Sequence, residues 1–395
     1  MKIVAVEDIH VDGGWDPWTF LKITTDEGIV GWAEFSQARG RRGLPLLVRN
    51  LAELIIGEDP RKPARISAML RARLLAPPEG LQAMAIGAIE NACLDIAAKA
   101  LGVPVHVMLG GAMRERMSVY WSHCGMYRAR HPKLFREVIG RDPVQSLDDV
   151  RALGAEVKAA GFRSLKTNLL SFSVGADGQR AGTLARGSGA IETNVESELV
   201  AKAVDLMAAF REGAGPETGL MLDLNFGFKP EGFRKFARAL EPFDMTWLEV
   251  DTLDAEQLAL IRRETSTPIA SLEIVLGRRN IRPFMEQRSV DVGLIDPVYN
   301  GLLESLKMAA MMDAYEINVA AHNSHGPLGA LISSTFCALI PNFRILECDF
   351  DEVPWRRELL SDPYRVEAGE FVLSQGVGWG SDLVEDVAHR HSLPR

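Results

Sequence analysis

Six polar residues stand at near-even intervals in the second half of this 395-residue chain. They are Asp223 (LMLDLN), Glu249 (TWLEVD), Glu273 (PIASLE), Asp296 (VGLIDP), His322 (VAAHNS) and Glu347 (RILECD), separated by 26, 24, 23, 26 and 25 residues. A single acid after an apolar run is most often a helix cap or a solvated loop residue. Six in phase need another reason, because caps obey no such order. Asp223, Glu249 and Glu273 come from successive units, with no cysteine or histidine among them. They offer the hard oxygen ligands that suit Mg²⁺.

The elements that position these groups are legible around them. Each point follows a short apolar run: 220–222, 245–248, 269–272, 290–295, 317–321 and 343–346. Between the runs lie stretches of helical periodicity, such as 255–264 and 303–314. Strand, helix and strand again at about 25 residues per unit is a series of βα units. It predicts an α/β protein built on a (β/α)₈ TIM barrel, with the six groups gathered at the C-terminal mouth of the strands.

Composition sets the bounds. With 47% hydrophobic residues, the chain can fill a barrel of about 250 residues and a second domain. Charged residues are an ordinary 25%, and the net charge of −9 argues against a nucleic-acid partner. The four cysteines (Cys93, Cys124, Cys337, Cys348) show no CxxC spacing. They read as reduced and mostly buried, which points to the cytoplasm. No signal-peptide pattern opens the chain and no apolar run reaches 18 residues, so no membrane partner is expected.

Taken in order, residues 1–115 read as an N-terminal α+β capping domain. A strand over 1–11 precedes a hairpin over 20–24 and 29–34, turned at Asp26-Glu27-Gly28. The loop 13–19 carries Trp15 and Trp18, and the loop 36–43 carries Arg39, Arg41 and Arg42. These side chains either pack and solvate, or cap an anionic substrate, with an arginine gripping a carboxylate in bidentate fashion. Helices are expected over 44–56, 65–74 and 81–101. The last is rich in small residues for close packing, and Gly102 caps it. The barrel spans 116–360. His123, either a structural loop histidine or a substrate contact, follows its first strand, and Lys166 lies near the mouth end of its second. The Gly-, Ala- and Ser-rich stretch 169–191 reads as a long loop serving as a mobile lid. Residues 361–395 read as a tail returning to the capping domain, with strands at 364–366 and 370–373.

Together these residues resemble the enolase superfamily, specifically the mandelate racemase subgroup of acid-sugar dehydratases and racemases. AIGAIENACLDIAAKALGVPVHVMLGG (85–111) is close to that family's signature for the end of its capping domain, and GFRSLKTN resembles its G-F-x-x-x-K-x-K pattern at Lys166. The resemblance implies an enolase-like modified barrel and one Mg²⁺ per chain on Asp223, Glu249 and Glu273. It also implies a catalytic Asp296–His322 dyad and a hydrogen bond from Glu347 to the substrate carboxylate. A homo-oligomer, dimer to octamer, acting on a small carboxylate is implied as well. The sequence departs from the pattern in placing Asn168 at the second lysine, Val-Asp after Glu249 where Glu-Pro is usual, and PIASLE for P-I-A-x-G-E.

The implied chemistry is abstraction of the proton α to a carboxylate. The cation acts as Lewis acid, and Glu347, if protonated, or Lys166 supports the same oxygens. His322 serves as base and Asp296 orients it. Asn225, two residues past the first ligand, is placed for substrate. Asn168 decides between reactions, because an amide is not a base. One face then has a catalyst and the other does not, which favours dehydration of a sugar acid. A lactone cycloisomerase is the main alternative, an epimerase is third, and a non-catalytic sugar-acid binder stands outside the enzyme class.

Overall fold

The computed structural model describes residues 1–174, 180–183 and 193–393. The first domain opens with three antiparallel strands: β1 (Ile3–Asp12), β2 (Pro17–Thr25) and β3 (Val30–Phe35). The hairpin between β2 and β3 turns at Gly28, whose φ of 80° lies in the left-handed region open to glycine. Helices Leu44–Ala52 and Gly80–Leu101 pack against this sheet, and helix Pro63–Arg73 packs on Gly80–Leu101. The last ends at Gly102 in the left-handed conformation. By length and composition Gly80–Leu101 could cross a membrane, yet every residue from Ala83 to Ala98 is buried inside the protein.

The second domain is a closed parallel barrel. Its strands are β4 (Arg116–Ser122), β5 (Ser164–Asn168), β8 (Gly219–Asp223), β9 (Trp247–Glu249), β10 (Ile269–Ser271), β11 (Val292–Ile295), β12 (Asn318–Ala321) and β13 (Phe343–Asp349). They pair in that order, and β13 closes onto β4 with Glu347 opposite Tyr120. A small antiparallel hairpin, β6 (Leu170–Val174) with β7 (Arg180–Thr183), is inserted after β5. The lid expected over 169–191 is therefore partly a hairpin, and the rest of it lies outside the described residues.

Side-chain alternation explains both the barrel core and the site. Tyr120, Met221, Trp247, Ala270, Val292, Leu294, Ala320 and Ile345 form one buried cluster along the barrel axis. A strand has a period of two, so the next residue on the same face lies two positions on. From Tyr120 that is Ser122, from Met221 Asp223, from Trp247 Glu249, from Leu294 Asp296, from Ala320 His322 and from Ile345 Glu347. One apolar layer thus closes the barrel, and the layer above it carries the polar groups. The outer helices pack by their own period. In Pro230–Leu240 the buried Phe233, Phe236, Ala237 and Leu240 fall at i, i+3, i+4 and i+7.

The first domain is fastened beside the barrel mouth. A Cβ on Gly87 would lie 2.7 Å from the Tyr299 carbonyl oxygen, so only glycine allows this approach of helix to barrel loop. Asn91 donates to the Pro297 carbonyl (2.9 Å) and accepts from the Leu302 N–H (2.9 Å). Glu34 on β3 accepts from the backbone N–H groups of Gly326 and Gly329 (2.8 Å for the latter). Those groups open the helix Pro327–Leu339, whose N-terminus favours an acidic partner. Glu34→Ala strands two buried donors and is expected to cost about 1–3 kcal/mol. A lowered urea midpoint with an unchanged m-value is the measurement, and an unchanged midpoint counts against this account.

The C-terminal region differs from expectation in one respect. β14 (Arg365–Glu367) and β15 (Glu370–Val372) do not join the first domain: β15 pairs antiparallel with β4, Phe371 opposite Met117, and extends the barrel. The chain beyond them does reach the first domain. The Trp379 indole donates to the Trp32 carbonyl (2.9 Å), Lys22 pairs with Glu385 (2.6 Å), and Leu393 N–H donates to His10 (3.1 Å).

Candidate active site

The six phased residues converge on the mouth of the barrel, all but Glu273 fully buried. Asp223 and Glu249 sit opposite each other at the ends of β8 and β9. Asn168, at the end of β5, donates its amide to Asp223 Oδ2 (3.2 Å). Asn225 does not continue the strand as expected. It is left-handed (φ 48°) and turns its amide and its backbone N–H back onto the Asp223 carboxylate (2.7 Å each). Lys166 places its ammonium 2.8 Å from Glu249 Oε2 and 3.0 Å from Glu347 Oε1, above the Tyr120 ring. Burial favours the neutral amine, but Glu249 and Glu347 outweigh it and hold Lys166 protonated, its pKa well raised.

Glu273 reaches the mouth by a break in its strand. Leu272 has φ 96°, a left-handed backbone that costs an ordinary residue roughly 1–2 kcal/mol. Simple alternation from the axis-facing Ala270 would turn Glu273 away; the break at Leu272 lets it reach His322, with Oε2 3.0 Å from Nε2.

Asp296 performs two tasks. One oxygen accepts from Val298 and Tyr299 N–H (2.8 and 2.9 Å), capping the short helix Pro297–Asn300. The other accepts from His322 Nδ1 (2.7 Å) and from His325 Nε2 (2.8 Å). With Nδ1 committed to Asp296, Nε2 is the nitrogen that faces the mouth, where it meets Glu273. Burial opposes charge on both partners. Even so, His325 and His322 hold Asp296 far below the usual carboxylate range. Glu273 and Asp296 push the His322 imidazole up to about 10. His325 was not foreseen, although its position three residues after His322 in HNSH was the available signal.

Glu347 accepts from Ser122 Oγ, from Asn323 N–H (2.8 Å) and from Lys166. Burial alone would protonate it, yet Lys166, His322 and His123 hold it well below the usual range. Lys166 is a charged donor to Glu347 at this position.

At the rim, His123 gives Nδ1 to Asp349 Oδ1 (2.7 Å) and lies against Tyr127. Trp15 stacks on Tyr127 at 4.4 Å. Arg39 bonds the Tyr127 hydroxyl (3.2 Å) and pairs with Asp16 (3.4 Å). The Arg41 guanidinium lies 4.7 Å over the Tyr299 ring, which in turn tilts against His322. Arg42 is exposed. Arg39 and Arg41 therefore attach to the two tyrosines that flank His123 and His322, and Arg42 is apart from them.

The donor chemistry fits a hard divalent cation. Burial, followed by neighbouring carboxylates, raises the pKa of Glu249 well above its ordinary value. Its Oε1 is buried with no hydrogen-bond partner among the described residues. Excess buried negative charge with an orphaned oxygen is what a cation would resolve.

The family model described as enolase C-terminal domain-like matches residues 149–387. The model of the mandelate racemase / muconate lactonizing enzyme N-terminal domain matches residues 14–110. Among curated relatives, D-xylonate dehydratase of Haloferax volcanii is 27% identical over 99% of this chain and 89% of its own length. D-galactonate dehydratase of Ralstonia nicotianae is 30% identical over 79% of this chain and 72% of its own. Among solved structures, a Burkholderia xenovorans protein provisionally named L-alanine-DL-glutamate epimerase, bound to magnesium and fumarate, is 37% identical. It has a TM-score of 0.92 over 99% of this chain and 96% of its own.

Proposed function

Because the chain belongs to the mandelate racemase/muconate lactonizing enzyme family of the enolase superfamily, we propose that it dehydrates a sugar acid, an aldonate or aldarate, to a 2-keto-3-deoxy acid. The observation that carries this reading is the one-sided array of bases. His322 is oriented by Asp296, while the amide of Asn168 is committed to Asp223 and Lys166 is a buried ammonium between two carboxylates. The curated relatives named above act on sugar acids, which supports the substrate class.

A magnesium ion held by Asp223, Glu249 and Glu273 would supply Lewis-acid stabilisation of the substrate carboxylate. The chain's own residues do the rest. Lys166 donates to the carboxylate oxygens as charge builds on them. His322 Nε2 takes the proton from C2 and Asp296 stabilises the imidazolium. The same imidazolium delivers that proton to the C3 hydroxyl, which leaves as water as the C2–C3 double bond forms. The resulting enol takes a proton at C3 and ketonises.

A second reading, epimerisation, is favoured by the provisional name of the Burkholderia xenovorans structure and needs Lys166 as a second base. We also propose a cytoplasmic homo-oligomer; the four free, buried cysteines fit a reducing compartment. The test is a library of aldonic and aldaric acids with Mg²⁺, read by trapping the 2-keto product. We expect 2-keto-3-deoxy acid from a single stereochemical class. Interconversion of C2 epimers without keto product would replace this reading with the epimerase.

A further inference from the structure

We propose that Asp251 is a fourth carboxylate donor of the cation site, beyond the three acids that the barrel spacing picks out. The proposal rests on the cation reading given above. Asp251 stands two residues after Glu249, on the same side of the chain, where the family resemblance leads one to expect proline. It is buried, and its backbone N–H donates to the Asn225 carbonyl (3.3 Å), which holds it beside the turn that carries Asp223. Oxygen atoms of Asp223, Glu249 and Asp251 all lie within 4.8 Å of one another. Donors around one octahedral cation, at about 2.1 Å from it, stand roughly 3–4 Å apart.

The hydrogen bonds of Asp251 leave one oxygen over. Oδ1 accepts from Ser271 Oγ (3.1 Å), whereas Oδ2 is buried with no partner among the described residues. The cation of the cluster goes elsewhere: Lys166 reaches Glu249 and Glu347. The amides of Asn168 and Asn225 both go to Asp223. A buried carboxylate oxygen without a donor is unfavourable unless something positive meets it. The competing account is a structural one, in which Asp251 merely ties β9 to β10 through Ser271. That tie uses Oδ1 and leaves Oδ2 unexplained.

The test compares full-length wild type with Asp251→Asn and Ser271→Ala, stripped with EDTA and titrated with Mg²⁺ and Mn²⁺ by calorimetry and thermal melting. In D251N we expect metal affinity to fall at least about tenfold. We also expect the metal-free protein to melt higher than wild type, because one buried anion is gone, and the metal-induced rise in Tm to shrink. Ser271→Ala should keep its affinity within a few-fold. Asp251→Ser, which removes the donor oxygens and lessens the bulk, repeats the measurement should the amide variant fail to fold. Equal metal affinity in wild type and D251N overturns the assignment, as does an equal loss in D251N and Ser271→Ala. Absence of metal binding in wild type would overturn the cation reading itself.

Discussion

His322→Asn is expected to abolish dehydration and α-proton exchange together, by roughly the 10²–10⁴-fold that loss of a general base costs. Asp296 holds the ring through Nδ1 at 2.7 Å, so Nε2 is the nitrogen offered to the mouth. The other face has an amide, and Asn168→Ala should lower activity far less than His322→Asn. Deuterium exchange at C2 should occur with one configuration only. If exchange from one C2 epimer survives in His322→Asn, a second base exists and the epimerase reading wins.

The same residue gives a pH signature. Without the cation, burial lowers the His322 pKa, but Glu273 and Asp296 overcome it and bring it to about 10. A cation on Glu273 removes part of that contribution, so the imidazole pKa followed by NMR should fall when Mg²⁺ is added. A pKa that does not move would mean that Glu273 holds no cation.

Removal of the metal should be nearly as damaging. EDTA, or Asp223→Ala, Glu249→Ala or Glu273→Ala, is expected to lower kcat/KM by roughly 10³-fold or more, because Lewis-acid stabilisation supplies several kcal/mol of the barrier. Full activity in EDTA would sink the idea. Stability should respond as well. Burial raises Asp223, Glu249 and Asp251 above their ordinary values, with nearby carboxylates adding to it. Groups raised in the folded state bind more protons folded than unfolded, so stability is present below the unfolded carboxylate range and declines as pH rises. His322, also raised, adds a second decline from its ordinary 6.5 up to about 10. The metal-free protein should therefore melt higher at pH 5 than at pH 8. Mg²⁺ should restore most of the difference, since it neutralises the carboxylates that cause it. A metal-free Tm that is flat between those pH values would contradict this.

Much of the architecture follows from local pattern. Apolar runs of strand length repeating every 23–26 residues demand a βα series, and the period of two places Asp223, Glu249, Asp296, His322 and Glu347 one step above the Met221–Trp247–Leu294–Ala320–Ile345 layer. The Gly102 cap and the Gly28 hairpin are likewise set by residues adjacent in sequence, because backbone sterics act over one or two bonds.

Tertiary structure decided what depends on partners distant in the chain. β15 pairs with β4, more than 240 residues earlier, and nothing local distinguishes that edge from one in the first domain. Glu34 finds Gly326 and Gly329 across 292 and 295 residues. Asn225 leaves its strand and folds back on Asp223, so its amide serves the carboxylate rather than facing a substrate. Asp251 and His325 lie two and three residues past the phased points, where turn geometry decides which way a side chain faces. Spacing reports the period of an element. It carries no information about the turn that follows, where one left-handed residue such as Leu272 redirects everything after it.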